Sequence, residues 1–230
     1  MPEKLLEKIK EKLGFESARE VKDGQIVGLG TGSTANYFTQ ALAKRIKEED
    51  LNITCVASST KTKDLATSFN LKLKNVDEVE RIDITVDGAD YIINESFIIK
   101  GAGGALLSEK LLESISDRFI VIVDYSKQSK KEVISVPVEI LKNSATHTIE
   151  RVKELGYPVT LRKKDSKPFI TDLRNYILDL SIELPIEDPF TLHQNLSSLT
   201  GVVETGLFCH LSTDIWIGHE NKSIEKIPVL

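Results

Sequence analysis

Over its first 130 residues the chain alternates short apolar runs with helical patterns, and each apolar run ends in a polar or glycine-rich cluster. Gln25 to Leu29 runs into Gly30-Thr31-Gly32-Ser33-Thr34, after which Ala35, Phe38, Leu42 and Ile46 recur at helical spacing. Ile53 to Ala57 ends at Ser58-Ser59-Thr60-Lys61-Thr62 and precedes a helical pattern through Leu65 and Phe69. A short run near Leu71 to Leu73, a run ending at Asp87, a helix carrying Glu109, and Phe119 to Val123 before Asp124-Tyr125-Ser126-Lys127 keep the rhythm. A helix from about Glu3 to Val21 precedes them all. Strands separated by helices pair through crossovers, so the pattern predicts an α/β domain with a Rossmann-like parallel sheet covered on both faces. In such sheets ligands bind beyond the C-terminal strand ends, where the polar clusters lie.

Beyond about Lys130 the rhythm changes. Val136 to Leu141, a helix from Thr146 to Leu155 closed by Gly156, Val159 to Arg162, Tyr176 to Leu184, a helix from Phe190 to Leu199 and Gly201 to Phe208 give a β-α-β-β-α-β order. This predicts a smaller, ferredoxin-like α+β insert at 131–206. Asp214 to Gly218 and Lys226 to Leu230 then return to the main sheet, so the Rossmann-like domain comprises 1–130 plus 207–230.

A hydrophobic fraction of 40% with 28% charged residues describes a soluble globular protein. The net charge of −5, with lysines dispersed among acids, gives no footprint for nucleic acid. Met1 to Gly14 carries Glu3, Glu7 and Glu11, unlike a transit or secretory signal, and no apolar run reaches membrane-spanning length. Cys55 and Cys209, far apart in apolar runs, read as reduced core thiols, and a cytoplasmic location is expected.

Asp87-Gly88-Ala89-Asp90, then Lys100-Gly101-Ala102-Gly103-Gly104 and Glu109, gather three carboxylates, an amine and a glycine turn. Ile82, Ile84 and Val86 alternate with Asp83 and Thr85, so Asp87 stands at a strand end. Two aspartates three apart need a cation or a hydrogen-bonding substrate between them, and Lys100 is the nearest cation. Ala105, Leu106, Leu107, Leu111, Leu112 and Ile115 place Glu109 about two turns into a helix, beside Ala105 and Leu112. A carboxylate on a partly apolar face suits a general base, although alone it also fits a surface ion pair.

The loop Thr31, Gly32, Ser33 and Thr34 offers backbone N–H groups at a helix N-terminus, an anion site of the size of one phosphate. No Gly-Lys-Ser/Thr tripeptide occurs, and the next strand ends in Ala57-Ser58-Ser59 with no acid for a ribose hydroxyl, which disfavours nucleotides. Lys127 and Lys10 are candidates to complete the charge neutralisation, while the loop alone also fits an ordinary βα turn. His147, His193, His210 and His219 are scattered, and the lysine among the acids argues against Mg²⁺.

GLGTGST at Gly28 to Thr34, DGAD at Asp87 to Asp90, KGAGGAL at Lys100 to Leu106, Glu109-Lys110, Ser126-Lys127-Gln128 and GVVETGLF at Gly201 to Phe208 together resemble the type A ribose-5-phosphate isomerase family. The resemblance implies interconversion of ribose 5-phosphate and ribulose 5-phosphate in the pentose phosphate pathway, no cofactor or metal, a sugar-phosphate partner, and a homodimer or homotetramer. By position it implies substrate contacts from Thr31 to Thr34, Asp87 to Asp90, Lys100, Gly101, Ala102, Gly103 and Lys127, with Glu109 as proton acceptor. Tyr91, Ala102 and Ser108 depart from the family's usual acid, glycine and arginine. The chemistry would pass through a cis-enediol, with Lys100 and turn N–H groups on the enediolate and Asp87 and Asp90 on hydroxyls during ring opening. An amino-sugar-phosphate deaminase and a sugar-phosphate sensor are the competing readings.

Overall fold

The structure, a computed structural model, describes residues 2–128 and 132–229. Chain contacts divide it into two compact units, one of Met1–Ala89, Ser108–Gln128 and Leu211–Leu230, the other of Asp90–Leu107 and Ser129–His210.

The first unit holds a seven-stranded sheet in the order Ile224–Pro228, Asp214–Gly218, Phe119–Asp124, Ile84–Asp87, Ile26–Leu29, Thr54–Ala57, Leu73–Lys74. Neighbours are parallel except the first pair, which is antiparallel. From Ile26–Leu29 the chain steps outward through Thr54–Ala57 and Leu73–Lys74, then returns to lay Ile84–Asp87 on the opposite side. Strand order therefore reverses between Ile26–Leu29 and Ile84–Asp87, and the crevice for a ligand opens at the C-terminal ends of those two strands.

Alternate strand residues serve different layers. Val27, Leu29, Cys55, Ile84, Val86, Ile120 and Ile122 pack with Ile9 and Leu13 of helix Pro2–Ala18 and with Phe38 and Leu42 of helix Ser33–Glu49. Val56 and Ile82 join Leu112 of helix Leu106–Ser114 in a separate cluster. Strand Ile84–Asp87 is buried at every position, as a central strand covered on both faces should be. The polar residues are satisfied internally: the Thr85 and Ser116 hydroxyls lie 2.7 Å apart, and Asp83 accepts the Ile26 N–H at 2.7 Å. Neither cysteine forms a disulfide, and burial pushes the Cys55 thiol up to about 12, which leaves it inert. Among the described residues no helix is long and apolar enough to cross a membrane.

The second unit contains a four-stranded antiparallel sheet in the order Val202–Thr205, Val133–Ile140, Tyr176–Glu183, Val159–Leu161. Helices Ala145–Glu154 and Pro189–Ser197 complete the β-α-β-β-α-β order of a ferredoxin-like fold. Val136, Val138, Ile140, Leu178, Leu180 and Ile182 share its core with Val152, Leu192 and Leu196.

A further three-stranded sheet in this unit pairs Leu207–Cys209 with Phe97–Ile99, and Phe97–Ile99 with Tyr91–Asn94. The sequence reading passes from Asp90 to the glycine turn without this hairpin and keeps 90–107 with the first domain. Chain contacts group both this segment and its partner strand Leu207–Cys209, expected in the first domain, with the second unit instead. Gly201 to Phe208, read as one strand, breaks at Gly206 because its two halves pair with different partners, Val133–Ile140 and Phe97–Ile99. The expected 130/131 boundary and the final residue, Leu230, lie outside the described residues.

Candidate active site

At the switch point of the first unit, the Gly30 N–H donates to the Val86 carbonyl at 3.1 Å, tying the glycine loop to the end of the Asp87 strand. Asp87 is fully buried, and its Oδ1 accepts the N–H groups of Thr31 at 2.9 Å and Gly88 at 2.6 Å. A Cβ on Gly30 would lie 2.1 Å from the Asp87 carboxyl carbon, so only glycine lets this carboxylate sit across the strand ends. Loop and aspartate are thus one construction.

Thr31 also holds the loop from behind. Its hydroxyl lies 2.8 Å from the Ser58 and Ser59 hydroxyls and 3.1 Å from that of Thr62, which donates to the Gly30 carbonyl at 3.0 Å. Ser59 caps helix Thr60–Ser68 by accepting the Thr62 N–H at 3.1 Å. Ser58 and Ser59 therefore shape the glycine loop from the neighbouring strand end. Helix Ser33–Glu49 begins after Gly32 with no side-chain cap and no acid in its first turn, an N-terminus suited to an anion. Ser33 is exposed there and Thr34 buried.

Lys127 follows strand Phe119–Asp124 in the turn Tyr125–Gln128, at the same C-terminal edge of the sheet. Asp124 shapes that turn by accepting the Ser126 N–H at 3.0 Å and the Ser126 hydroxyl. Lys10 sits differently, its ammonium 2.9 Å from the Glu7 carboxylate, which also accepts the Tyr37 hydroxyl at 2.9 Å. The Lys10 hydrogen bond, then that of Tyr37, holds the Glu7 carboxyl below its ordinary range.

Glu109 lies in the first turn of helix Leu106–Ser114, earlier than the two turns expected, because the glycine turn delays the helix start. It is 4% exposed, so it is not a surface glutamate. One turn on, Glu113 is 2% exposed on the same face, a second buried carboxylate that the sequence did not single out.

In the second unit, the Asp90 N–H donates to the Ile99 carbonyl at 2.7 Å, and the Asp90 carboxylate accepts the Ala102 N–H at 2.7 Å. Lys100 follows strand Phe97–Ile99, is 2% exposed, and carries its ammonium 5.6 Å from the Phe208 ring centroid. Gly101 and Gly104 turn the chain with φ of +104° and +83°, and a Cβ at Gly104 would meet the Phe169 ring at 2.4 Å. Ala102 is exposed and is not among the residues with positive φ, so the departure from glycine falls where an L-residue fits. Gly103 beside it is also exposed. The Arg162 guanidinium donates to the carbonyls of Gly101 at 2.7 Å and Ala102 at 3.1 Å, a contact from a residue the sequence reading passed over.

The candidates therefore divide. Thr31 to Thr34, Asp87, Gly88, Ala89, Glu109, Lys127 and Lys10 belong to the first unit, and Asp90 and Lys100 to Gly103 to the second. Of the four histidines, His193 bonds Thr205 at 2.8 Å and His219 bonds Glu225 at 3.0 Å.

Residues 54–222 match the family described as ribose 5-phosphate isomerase A (phosphoriboisomerase A). A ribose-5-phosphate isomerase A of Streptococcus pneumoniae (strain Hungary19A-6) is 44% identical over 204 residues, covering 88% of this chain and 89% of the relative. The structure of ribose 5-phosphate isomerase A from Methanocaldococcus jannaschii superposes with a TM-score of 0.90 at 34% identity, covering 96% of this chain and 99% of its own. A D-ribose-5-phosphate isomerase in complex with phospho-erythronic acid gives a TM-score of 0.91 at 31% identity, covering 97% and 99%. With the glycine loop, the DGAD run and the glycine turn all in place on this fold, the chain belongs to the ribose 5-phosphate isomerase A family.

Proposed function

We propose that the chain interconverts D-ribose 5-phosphate and D-ribulose 5-phosphate through a cis-enediol, with Glu109 as the base. The observation that carries this reading is a carboxylate, 4% exposed, at the head of the helix that follows the glycine turn. Moving a proton between adjacent carbons requires one positioned base, and burial keeps it from idling in a hydration shell. Glu109 removes the proton from C2 of the open-chain aldose and returns it to C1. Lys100 and the N–H of Gly103 stabilise the enediolate oxygen, while Asp87 and Asp90 hold hydroxyls and assist opening of the furanose ring.

The phosphate is held by the N–H groups at the start of helix Ser33–Glu49 and by Lys127. That grip fixes the reacting carbons and supplies orientation from a remote group. Lys10, whose ammonium also bonds Glu7 at 2.9 Å, is the second cation proposed for the phosphate. Incubation with ribose 5-phosphate in excess EDTA tests the reading. Ketose is expected to form at the rate seen without chelator, and an absence of ketose contradicts it.

A further inference from the structure

Arg162 lies 61 residues from Gly101 in sequence, just after strand Val159–Leu161, and donates to carbonyl groups of the glycine turn. Its own backbone is held from two sides: its N–H donates to the Ile177 carbonyl at 2.8 Å, and its carbonyl accepts the Phe169 N–H at 2.9 Å. Asp179 of strand Tyr176–Glu183 binds the guanidinium through both oxygens, taking Nε–H at 2.9 Å together with Nη2–H. Such a bidentate pair fixes the plane of the guanidinium as well as its place. Nη1 is left aimed at the Gly101 and Ala102 carbonyls.

A trans peptide is planar, and its N–H points opposite to its C=O. Drawing the Gly101 carbonyl to Arg162 therefore turns the Ala102 N–H away, and that N–H does reach the Asp90 carboxylate at 2.7 Å. Drawing the Ala102 carbonyl to Arg162 turns the Gly103 N–H to the same side by the same rule. We propose that Arg162 is a positioning residue: by clamping two carbonyls it presents the Gly103 N–H to the developing enediolate oxygen. This rests on the isomerase reading above. A lysine could not replace it fully, because one ammonium cannot grip Asp179 bidentately and span two carbonyls at once.

The test uses the full chain with Arg162→Met and Arg162→Lys, and two ligands. Phospho-erythronic acid carries a carboxylate that mimics the enediolate, whereas ribitol 5-phosphate carries the phosphate and hydroxyls without it. For Arg162→Met, kcat is expected to fall about 10-fold to 100-fold, somewhat less than for outright removal of an oxyanion donor, with KM within about threefold. Affinity for phospho-erythronic acid should fall in step with kcat while that for ribitol 5-phosphate holds, and Arg162→Lys should recover part of both losses. If Arg162→Met does not fold, Asp179→Asn, which loosens the clamp and keeps the guanidinium, should show the same split at smaller size. A kcat within twofold of wild type, or equal loss of both ligands, would overturn the proposal by reducing Arg162 to scaffold. Wild-type protein that makes no ketose marks failure of the isomerase reading instead.

Discussion

The loop after Ile26–Leu29 and the turn at Gly101–Gly104 both offer backbone N–H groups, but they are held in place by different means. The first is fixed by groups at neighbouring strand ends, with Asp87, Ser58, Ser59 and Thr62 bonding a loop that the parallel sheet already brings beside them. The second is closed by its own bond from the Gly104 N–H to the Gly101 carbonyl at 3.0 Å and braced by side chains from far along the chain, Arg162 on its carbonyls and the Phe169 ring against Gly104. A loop on a sheet edge inherits its geometry from strand register, whereas a turn supported by side chains inherits it from packing. Substitutions should separate the two.

The largest effect is expected at neither support but at the base. Glu109→Gln should lower kcat by roughly 10²-fold to 10⁴-fold with substrate affinity within about tenfold, as for other positioned bases. Next comes the strand-end construction. Gly30→Ala forces a methyl to 2.1 Å from the Asp87 carboxyl carbon, so a loss of about 1–3 kcal/mol in denaturant unfolding is expected, with a clear fall in kcat/KM. The reverse exchange in the turn, Ala102→Gly, should change kcat and KM less than about threefold and destabilise by about 0.5–1 kcal/mol through the unfolded chain. Comparable losses from both would erase the distinction drawn here. Lys127→Ala should raise KM for ribose 5-phosphate with kcat little changed, because a phosphate contact is made in ground and transition states alike. Unchanged KM would move the phosphate away from Lys127.

Stability against pH gives a smaller contrast between the units. In the first, burial pushes the Glu20 and Asp214 carboxyls up, but hydrogen bonds and charge from Arg118 outweigh it and hold both below their ordinary values. Their contribution is present above the unfolded values of about 4 and is lost as pH falls through the folded ones. In the second, burial pushes Glu139 up despite bonds from Asn175, Thr171 and the Leu107 N–H. Its contribution is present below about 4.3 and is lost as pH rises through the folded value. Relative to wild type, the Tm of Asp214→Asn should improve as pH falls and that of Glu139→Gln as pH rises. Parallel trends for the two variants would contradict these assignments.

The same contrast explains what could be read from the chain alone. Strands ending in polar clusters, helices between them and the β-α-β-β-α-β order are local patterns, and each appears close to where periodicity puts it. Gly30 to Thr34, Asp87 and Glu109 were legible because a strand end, a helix start and a glycine turn are written in consecutive residues. The Tyr91–Ile99 hairpin had a signal, two β-branched and aromatic runs around Asn94-Glu95-Ser96, that the neighbouring DGAD run overshadowed. Arg162, Asp179 and Glu139 had none, since their roles arise only when folding brings together residues 17 to 61 positions apart. Burial of Glu109 was likewise a tertiary fact. Helical spacing put it near apolar neighbours, but only packing decides that it is closed to water.

The measurement closest to the central claim is isotope incorporation. If Glu109 forms an enediol as proposed, the base exchanges its proton with solvent, and turnover of ribose 5-phosphate in D₂O by wild-type protein should place deuterium at C1 or C2. Glu109→Gln should bind the sugar and incorporate none above background. Wild-type incorporation by Glu109→Gln would remove Glu109 as the base, and isomerisation by wild-type protein with no solvent deuterium in product or recovered substrate would contradict an exchanging enediol intermediate.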